Sequence, residues 1–285
     1  VAETTGIAWT DSTFNPWIGC TKVGPGCDHC YAEALDKRHR WKGATHWGAG
    51  VERMRTAPSN WAKPLAWNAK AAASGKPWRV FCASLADVFD NEVPQEWRTD
   101  LFRMIAKTPA LTWLLLTKRI GNALPMLHKM MVDAPPLPNV WIGATIVNRE
   151  EADRDVPKLL ATPAAIRFVS YEPALGPVDW RRYPGIDWII VGGESTQGAK
   201  ARPFDITAAR STITQCREIN AAPFVKQLGS APIWSHCIGN SQAIDTIHFK
   251  DRAGADPTEW PEDLRVQEFP SAPVQKSAAI KGKEC

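Results

Sequence analysis

Three cysteines within eleven residues, Cys20, Cys27 and Cys30, are the groups in this chain best suited to do chemistry. They lie in Asn15-Pro-Trp-Ile-Gly-Cys20-Thr-Lys-Val-Gly-Pro-Gly-Cys27-Asp-His-Cys30-Tyr31, with the spacing C-x6-C-x2-C. Gly24-Pro25-Gly26 makes a loop that can fold back on a metal. The following Tyr31-Ala-Glu-Ala-Leu-Asp-Lys-Arg38 reads as a helix, so the thiolates sit on a loop running into a helix N-terminus. Soft sulfur ligands suit an iron–sulfur cluster or zinc. Three cysteines hold three irons of a cubane and leave the fourth open to a substrate or cofactor. A structural zinc takes four ligands, and His29, His39 or His46 would supply the fourth. Spacing alone leaves both metals open, because C-x2-C serves each.

Such a loop needs a frame. Six short apolar runs recur along the chain: 79–84, 111–117, 140–146, 166–171, 187–191 and 223–227. They are continuous rather than alternating, as expected of strands buried on both faces of a parallel sheet. Helical patterns lie between them. Pro94 to Lys107 opens on a first-turn proline, Asn148 to Leu160 on a capping residue followed by acids, and Asp205 to Ile219 on a capping aspartate. Pro157 is expected to kink the second of these. The rhythm predicts an α/β fold, a partial or complete (βα) TIM-like barrel with parallel strands, an N-terminal cluster loop and a small C-terminal extension. A doubly wound open sheet is the alternative. The barrel is expected over 1–230 with an insertion at 40–77, helical around Ser59 to Ala72. The extension is 231–285, with a disordered tail at 270–285.

In a parallel barrel functional groups gather at the C-terminal strand ends. Those ends carry Ser84, Asp87 and Asp90; Thr117, Lys118 and Arg119; Thr145 and Asn148; Tyr171 and Glu172; Gly192, Gly193 and Glu194; and Lys226 and Gln227. Any one of them has a second reading as a loop or cap residue, since strand ends are polar in any fold. Cys82 and Cys216 read as buried small hydrophobes, and Cys237 and Cys285 carry no signal. Lys118, Arg119 and Arg202 suit a carboxylate or phosphate.

Composition narrows the class. The 285 residues carry a net charge of +4, and the seven cysteines do not form a disulfide framework, so a reducing, cytoplasmic setting is expected. No run approaches the roughly 18–20 apolar residues of a membrane span, and Val1 to Trp9 shows no signal-peptide pattern. No P-loop, G-x-S-x-G elbow or H-E-x-x-H occurs. The fourteen tryptophans fill a core or line a pocket for a flat substrate.

The cysteine segment ends in C-x2-C followed by an aromatic, Tyr31, and in this it resembles the cluster loops of radical S-adenosylmethionine enzymes. The usual spacing there is C-x3-C-x2-C, from which this chain departs. The segments N-P-W-I-G-C, G-C-D-H-C-Y-A, L-T-K-R, V-W-I-G-A-T, S-Y-E-P-A-L-G-P-V and I-I-V-G-G-E-S with A-R-P resemble, over about residues 6–230, the bacteriophage three-cysteine-motif family, itself distantly similar to spore photoproduct lyase. That resemblance implies a [4Fe–4S] cluster on Cys20, Cys27 and Cys30, S-adenosylmethionine on the open iron, and a 5′-deoxyadenosyl radical. It also implies an electron donor such as flavodoxin or ferredoxin and a nucleobase, nucleotide or DNA substrate, with room for a separate partner protein. Superfamily members carry Gly-Gly-Glu after the second strand. Here Gly192-Gly193-Glu194 follows about the sixth, and Cys82-Ala-Ser84-Leu-Ala-Asp87 holds the second-strand position. The cofactor-binding set expected is therefore Tyr31, Ser84, Asp87, Thr117, Lys118, Thr145, Glu172, Gly192, Gly193 and Glu194. Two other readings remain: a zinc-stabilised, non-catalytic module that binds nucleic acid or protein, and a metal-dependent hydrolase using Asp87, Glu172 and Glu194.

Overall fold

The computed structural model of the chain describes residues 4–130, 137–195, 200–238 and 241–271. Seven strands form one sheet: β1 (Ser12–Thr13), β2 (Trp78–Cys82), β3 (Leu111–Thr117), β4 (Val140–Thr145), β5 (Ile166–Tyr171), β6 (Trp188–Gly192) and β7 (Ala222–Gln227). All neighbouring pairs are parallel, and the order across the sheet is the order along the chain. A doubly wound sheet reverses that order at a switch point; this one does not. Right-handed crossovers in one direction put every helix on the same side, and the sheet curls into a half-barrel. The six apolar runs are six of its strands. β1 has two polar residues and gave no sequence signal.

Besides a single turn at Pro58–Trp61, the α-helices among the described residues are α1 (Tyr31–His39), α2 (Lys63–Ser74), α3 (Gln95–Ala106), α4 (Ile120–Met130), α5 (Arg149–Ala161) and α6 (Ile206–Glu218). Their starts follow the capping signals: Asn148 accepts from the Glu151 amide and Asp205 from the Thr207 amide, each at 2.9 Å. Pro157 lies within α5 without dividing it. No α-helix links β5 to β6; a single 3-10 turn, Trp180–Arg182, lies there.

Alternation along the strands divides the apolar residues into two layers. Val80, Trp113, Ile142, Val169 and Ile189 face the helices. Phe81, Leu114, Trp141, Phe168, Trp188 and Phe224 face inward and, with Trp9, make a largely aromatic inner core. Gly143 is required there, since a Cβ would stand 2.3 Å from the Phe168 ring. Trp9, Trp17, Trp67, Trp113, Trp141, Trp180, Trp188 and Trp260 are buried, eight of the fourteen tryptophans, so most of the unusual tryptophan content is core.

Residues 40–77 do more than interrupt the rhythm. Met54–Arg55 pairs antiparallel with Trp17–Ile18, just ahead of Cys20. Beyond β7, Pro232–Ile238 and Ser241–Thr246 form a hairpin joined to Phe204–Asp205. The segment 266–268 then runs back along β7, where the Val225 amide donates to Val266 O and the Glu268 amide to Pro223 O. Of the expected tail, 272–285 lies outside the described residues.

Candidate functional site

The cysteine loop is held over the C-terminal ends of the strands. Gly19, just before Cys20, has φ +113°, and a Cβ there would meet His46 O at 2.3 Å, so only glycine lets the chain turn in at this point. The Gly48 amide donates to Cys20 O at 2.9 Å. Pro25–Cys27 is a 3-10 turn, and Cys30 occupies the N-cap of α1.

All three cysteines are free thiols and line one cavity of about 550 Å³. From the opposite wall come Thr145, Ser170, Glu172 and Lys226; the floor includes Phe81, Leu116 and Trp9. Of the residues expected at the site, Tyr31, Ser84, Asp87, Thr117, Lys118, Thr145, Glu172, Gly193 and Glu194 all reach this cavity. Gly192 does not line it. It lies beneath Glu172, where a Cβ would sit 3.1 Å from the carboxylate, so its part is to leave room for that side chain.

Asp87 organises one side. Buried, it accepts from Thr117 Oγ1 at 2.7 Å and from the Phe89 and Lys118 amides at 2.9 and 3.0 Å. It also pairs with the Arg119 guanidinium at 3.4 Å. Arg119 in turn donates to Cys20 Sγ at 3.2 Å and to Thr21 O at 2.6 Å. Burial and the Asp87 charge push the Cys20 thiol up to about 12, against the pull of Arg119; ligation to a metal replaces that proton.

On the opposite wall Glu172 sits between Ser170 Oγ at 3.3 Å and Lys226 Nζ at 3.0 Å. The lysine lies off the line a hydrogen bond needs, so Glu172 Oε1 has an ionic neighbour but no donor. Thr145 Oγ1 is 3.4 Å from Lys118 Nζ. Asn15, which the strand-end reading passed over, bonds Ser84 Oγ at 2.9 Å and the Leu85 amide at 2.7 Å. Tyr31 Oη donates to Ser84 O at 2.7 Å.

Glu194 faces the cavity, but its carboxylate is committed elsewhere. His29 Nδ1 lies 2.8 Å from it, and Arg202 bonds both its oxygens at 2.6 and 3.2 Å. Arg202 also reaches Pro25 O at 3.0 Å and Asp28 at 3.3 Å. The bridge ties the cysteine loop to the strand end after β6. Burial pushes the Glu194 carboxyl up, but the bonds from Arg202 and His29 hold it below the usual carboxylate range. The bridge therefore stabilises above the ordinary carboxylate pKa and is lost as pH falls through the lowered one. Arg202 is partly exposed, so the bridge contributes on the order of 1 kcal/mol. Arg202→Gln is expected to speed hydrogen exchange of the amides in 26–30 about fivefold. Unchanged exchange would show that the loop holds its place without the bridge.

Two of the three imidazoles considered as a fourth zinc ligand have ring nitrogens engaged. His29 meets Glu194, His46 has a backbone carbonyl at each ring nitrogen (Glu52 O at 3.1 Å, Trp41 O at 3.0 Å), and His39 stacks on Trp41. Among the described residues no three His, Cys, Asp or Glu side chains converge where one metal ion would sit. As for the trio Asp87, Glu172 and Glu194, each carboxylate has a cation beside it: Arg119, Lys226 and Arg202.

Residues 4–261 match the family described as "Protein of unknown function (DUF5131)". No curated protein and no solved structure matches the chain.

Proposed function

The chain belongs to the DUF5131 family, and from its site we propose that it is a radical S-adenosylmethionine enzyme built on a partial TIM-like barrel. The observation that carries the reading is three free cysteines on one loop lining one cavity at the C-terminal edge of a singly wound parallel sheet. Cys20, Cys27 and Cys30 are the residues that would hold a [4Fe–4S] cluster with one iron open to S-adenosylmethionine. With an electron from a donor such as flavodoxin or ferredoxin, that pair would supply radical hydrogen-abstraction chemistry toward a nucleobase, nucleotide or nucleic acid.

The chemistry of the donor set fits. A single zinc draws its ligands to about 2.0–2.3 Å, and so close to one another; cubane cysteines each take a separate iron and stand further apart. Among the described residues no single-ion cage forms, and His29 and His46 are engaged elsewhere, which weighs against a zinc knuckle.

The chain's own residues divide the remaining work. Arg119 donates a hydrogen bond to Cys20 Sγ and offsets negative charge on the thiolates. Asp87 holds Arg119 in place. Glu172, with Oε1 lacking a donor, accepts from an amine or hydroxyl of a bound molecule, and Lys226 matches an adjacent acceptor. Phe81 and Leu116 keep water from the floor. The cavity falls within the roughly 300–1,000 Å³ of ligand pockets.

The test is anaerobic reconstitution with iron and sulfide. Broad visible absorption is expected, with an electron paramagnetic resonance signal on reduction that changes when S-adenosylmethionine is added, and release of methionine and 5′-deoxyadenosine. A protein that takes up only zinc and leaves S-adenosylmethionine intact would end the proposal.

A further inference from the structure

Between two cavity-lining residues the chain makes a basic turn that does not itself line the cavity. α1 contributes Leu35 to the cavity lining, and Trp47 rejoins that lining after a turn. Between them runs Lys37-Arg38-His39-Arg40-Trp41-Lys42, four full cations and an imidazole around one tryptophan. Lys37 and Arg38 fall in the last turn of α1, where cations complement the helix dipole. That position accounts for them. Arg40 and Lys42 lie beyond it, with φ +44° and +53°. These are left-handed conformations that glycine or asparagine adopts at less cost. Two strained non-glycine residues one apart persist only where the surroundings hold them.

The surroundings do hold them. The buried Asp36 carboxylate accepts from the His46 amide at 2.6 Å, His46 Nε2 meets Trp41 O at 3.0 Å, and the Arg40 amide donates to Asp36 O at 2.8 Å. The Gly43 amide closes on Arg40 O at 2.7 Å. The local acids are thus turned away from these cations: Asp36 is buried with one oxygen on this turn, and Glu33 pairs with Lys22 and Lys37 at 3.1 and 2.7 Å. Arg38, Arg40 and Lys42 are exposed and have no acidic partner among the described residues. Beside them the half-buried Trp41 carries the exposed His39 ring on its face, centroids 5.2 Å apart and planes 26° apart.

We propose that this turn is a docking strip for a single strand of nucleic acid, whose phosphates pair with Arg38, Arg40 and Lys42 and one of whose bases stacks on the His39–Trp41 pair. Fixed cations interleaved with an aromatic platform are what single-strand binding uses. A base subject to chemistry must leave its stack to enter a pocket, and along the chain the strip is joined at either end to a residue that lines one, Leu35 and Trp47. The inference narrows the substrate of the proposed function to a polymer, and it rests on that reading only for what happens inside the cavity. An acidic electron-donor protein or an anionic membrane would also meet the cations, but neither needs the stacked rings.

The experiment uses the full chain without a cluster, so failure of the radical chemistry cannot mimic failure of docking. Fluorescence anisotropy with labelled single-stranded DNA and RNA 20-mers is expected to show binding that weakens as salt rises. Arg40→Gly with Lys42→Gly is expected to lower affinity about tenfold and to flatten the slope of log K against log salt by about 1.4, two cations at roughly 0.7 each. Because glycine relieves the left-handed backbone, Tm is expected to hold or rise. The stronger of the two polymers names the strand's sugar. The proposal is overturned by no oligonucleotide binding at about 50 mM salt, or by a double variant that binds like the parent. It is equally overturned if only flavodoxin or anionic vesicles respond to the two substitutions.

Discussion

Cys27→Ala is expected to fold as the parent does and to take up no stable [4Fe–4S] cluster. The thiol is 7 % exposed and lies in a 3-10 turn closed by its own amide on Gly24 O at 2.9 Å, a bond that alanine keeps. Removing one sulfur from a cavity wall leaves little void, so the stability cost is about 1 kcal/mol or less, a Tm change of about 2–4 °C. Binding suffers far more. With two cysteines left, two irons lack protein ligands, and reduction with S-adenosylmethionine should yield methionine only at background rate. Cys82→Ala is the matched control, a fully buried thiol in β2 that does not line the cavity; it should keep its cluster. Anaerobic iron and sulfide analysis beside a thermal melt reads both halves. A Cys27→Ala chain that still binds four irons and cleaves the cofactor would remove the thiols from the mechanism.

How far the sequence speaks depends on how local each cause is. The six long strands are legible because burial on both faces demands an unbroken apolar run, and α5 and α6 because Asn148 and Asp205 cap their own helices within a few residues. The cysteine loop is legible for the same reason, its ligands lying eleven residues from first to last. β1 escapes notice: two polar residues gain strand form only by pairing with Val80 and Phe81. Glu194 reads as a cofactor contact because its partners, Arg202 and His29, come from eight residues after and 165 before. Nothing in Gly192-Gly193-Glu194 itself announces that the carboxylate is spent on holding the loop. Asn15 is missed likewise, since its value lies in meeting Ser84 across 69 residues. The Trp-, Gly- and Ala-rich stretch 40–77 looks like an insertion because it lacks the strand–helix period. It nonetheless supplies the strand against Trp17–Ile18 and the side chain on which the loop's approach depends.

That side chain is Arg53, and Arg53→Met is expected to cost more stability than any other substitution discussed above. The guanidinium is fully buried. Its Nε bonds Asp90 at 2.9 Å, and Nη1 reaches Val51 O, Gly48 O and His46 O at 2.8, 3.0 and 3.3 Å. Nη2 donates to Thr21 Oγ1 at 2.6 Å and lies 3.1 Å from Glu92. Methionine fills much of the stem's volume but takes the donor from three carbonyl groups and leaves the buried Asp90 carboxylate with only the Glu92 amide at 3.2 Å and Arg119 at 3.9 Å. Breaking a buried pair from one side costs about 3–5 kcal/mol, which here amounts to a Tm loss of roughly 10 °C. Arg53→Lys restores the charge but not the fork, so it should recover only part of the loss. Asp90→Leu in the Arg53→Met background removes the stranded charge, and the pair should be less destabilised than the sum of the singles by about 1 kcal/mol or more. Strict additivity in that cycle would mean that Arg53 acts through the carbonyls alone. Because Thr21 adjoins Cys20, the methionine variant should also lose its cluster faster under chelation at temperatures where it is still folded. A single buried cation thus links the segment 46–51, which includes the cavity-lining Trp47, to Thr21 beside the first thiol of the site, and stability and metal retention should fail together when it is removed.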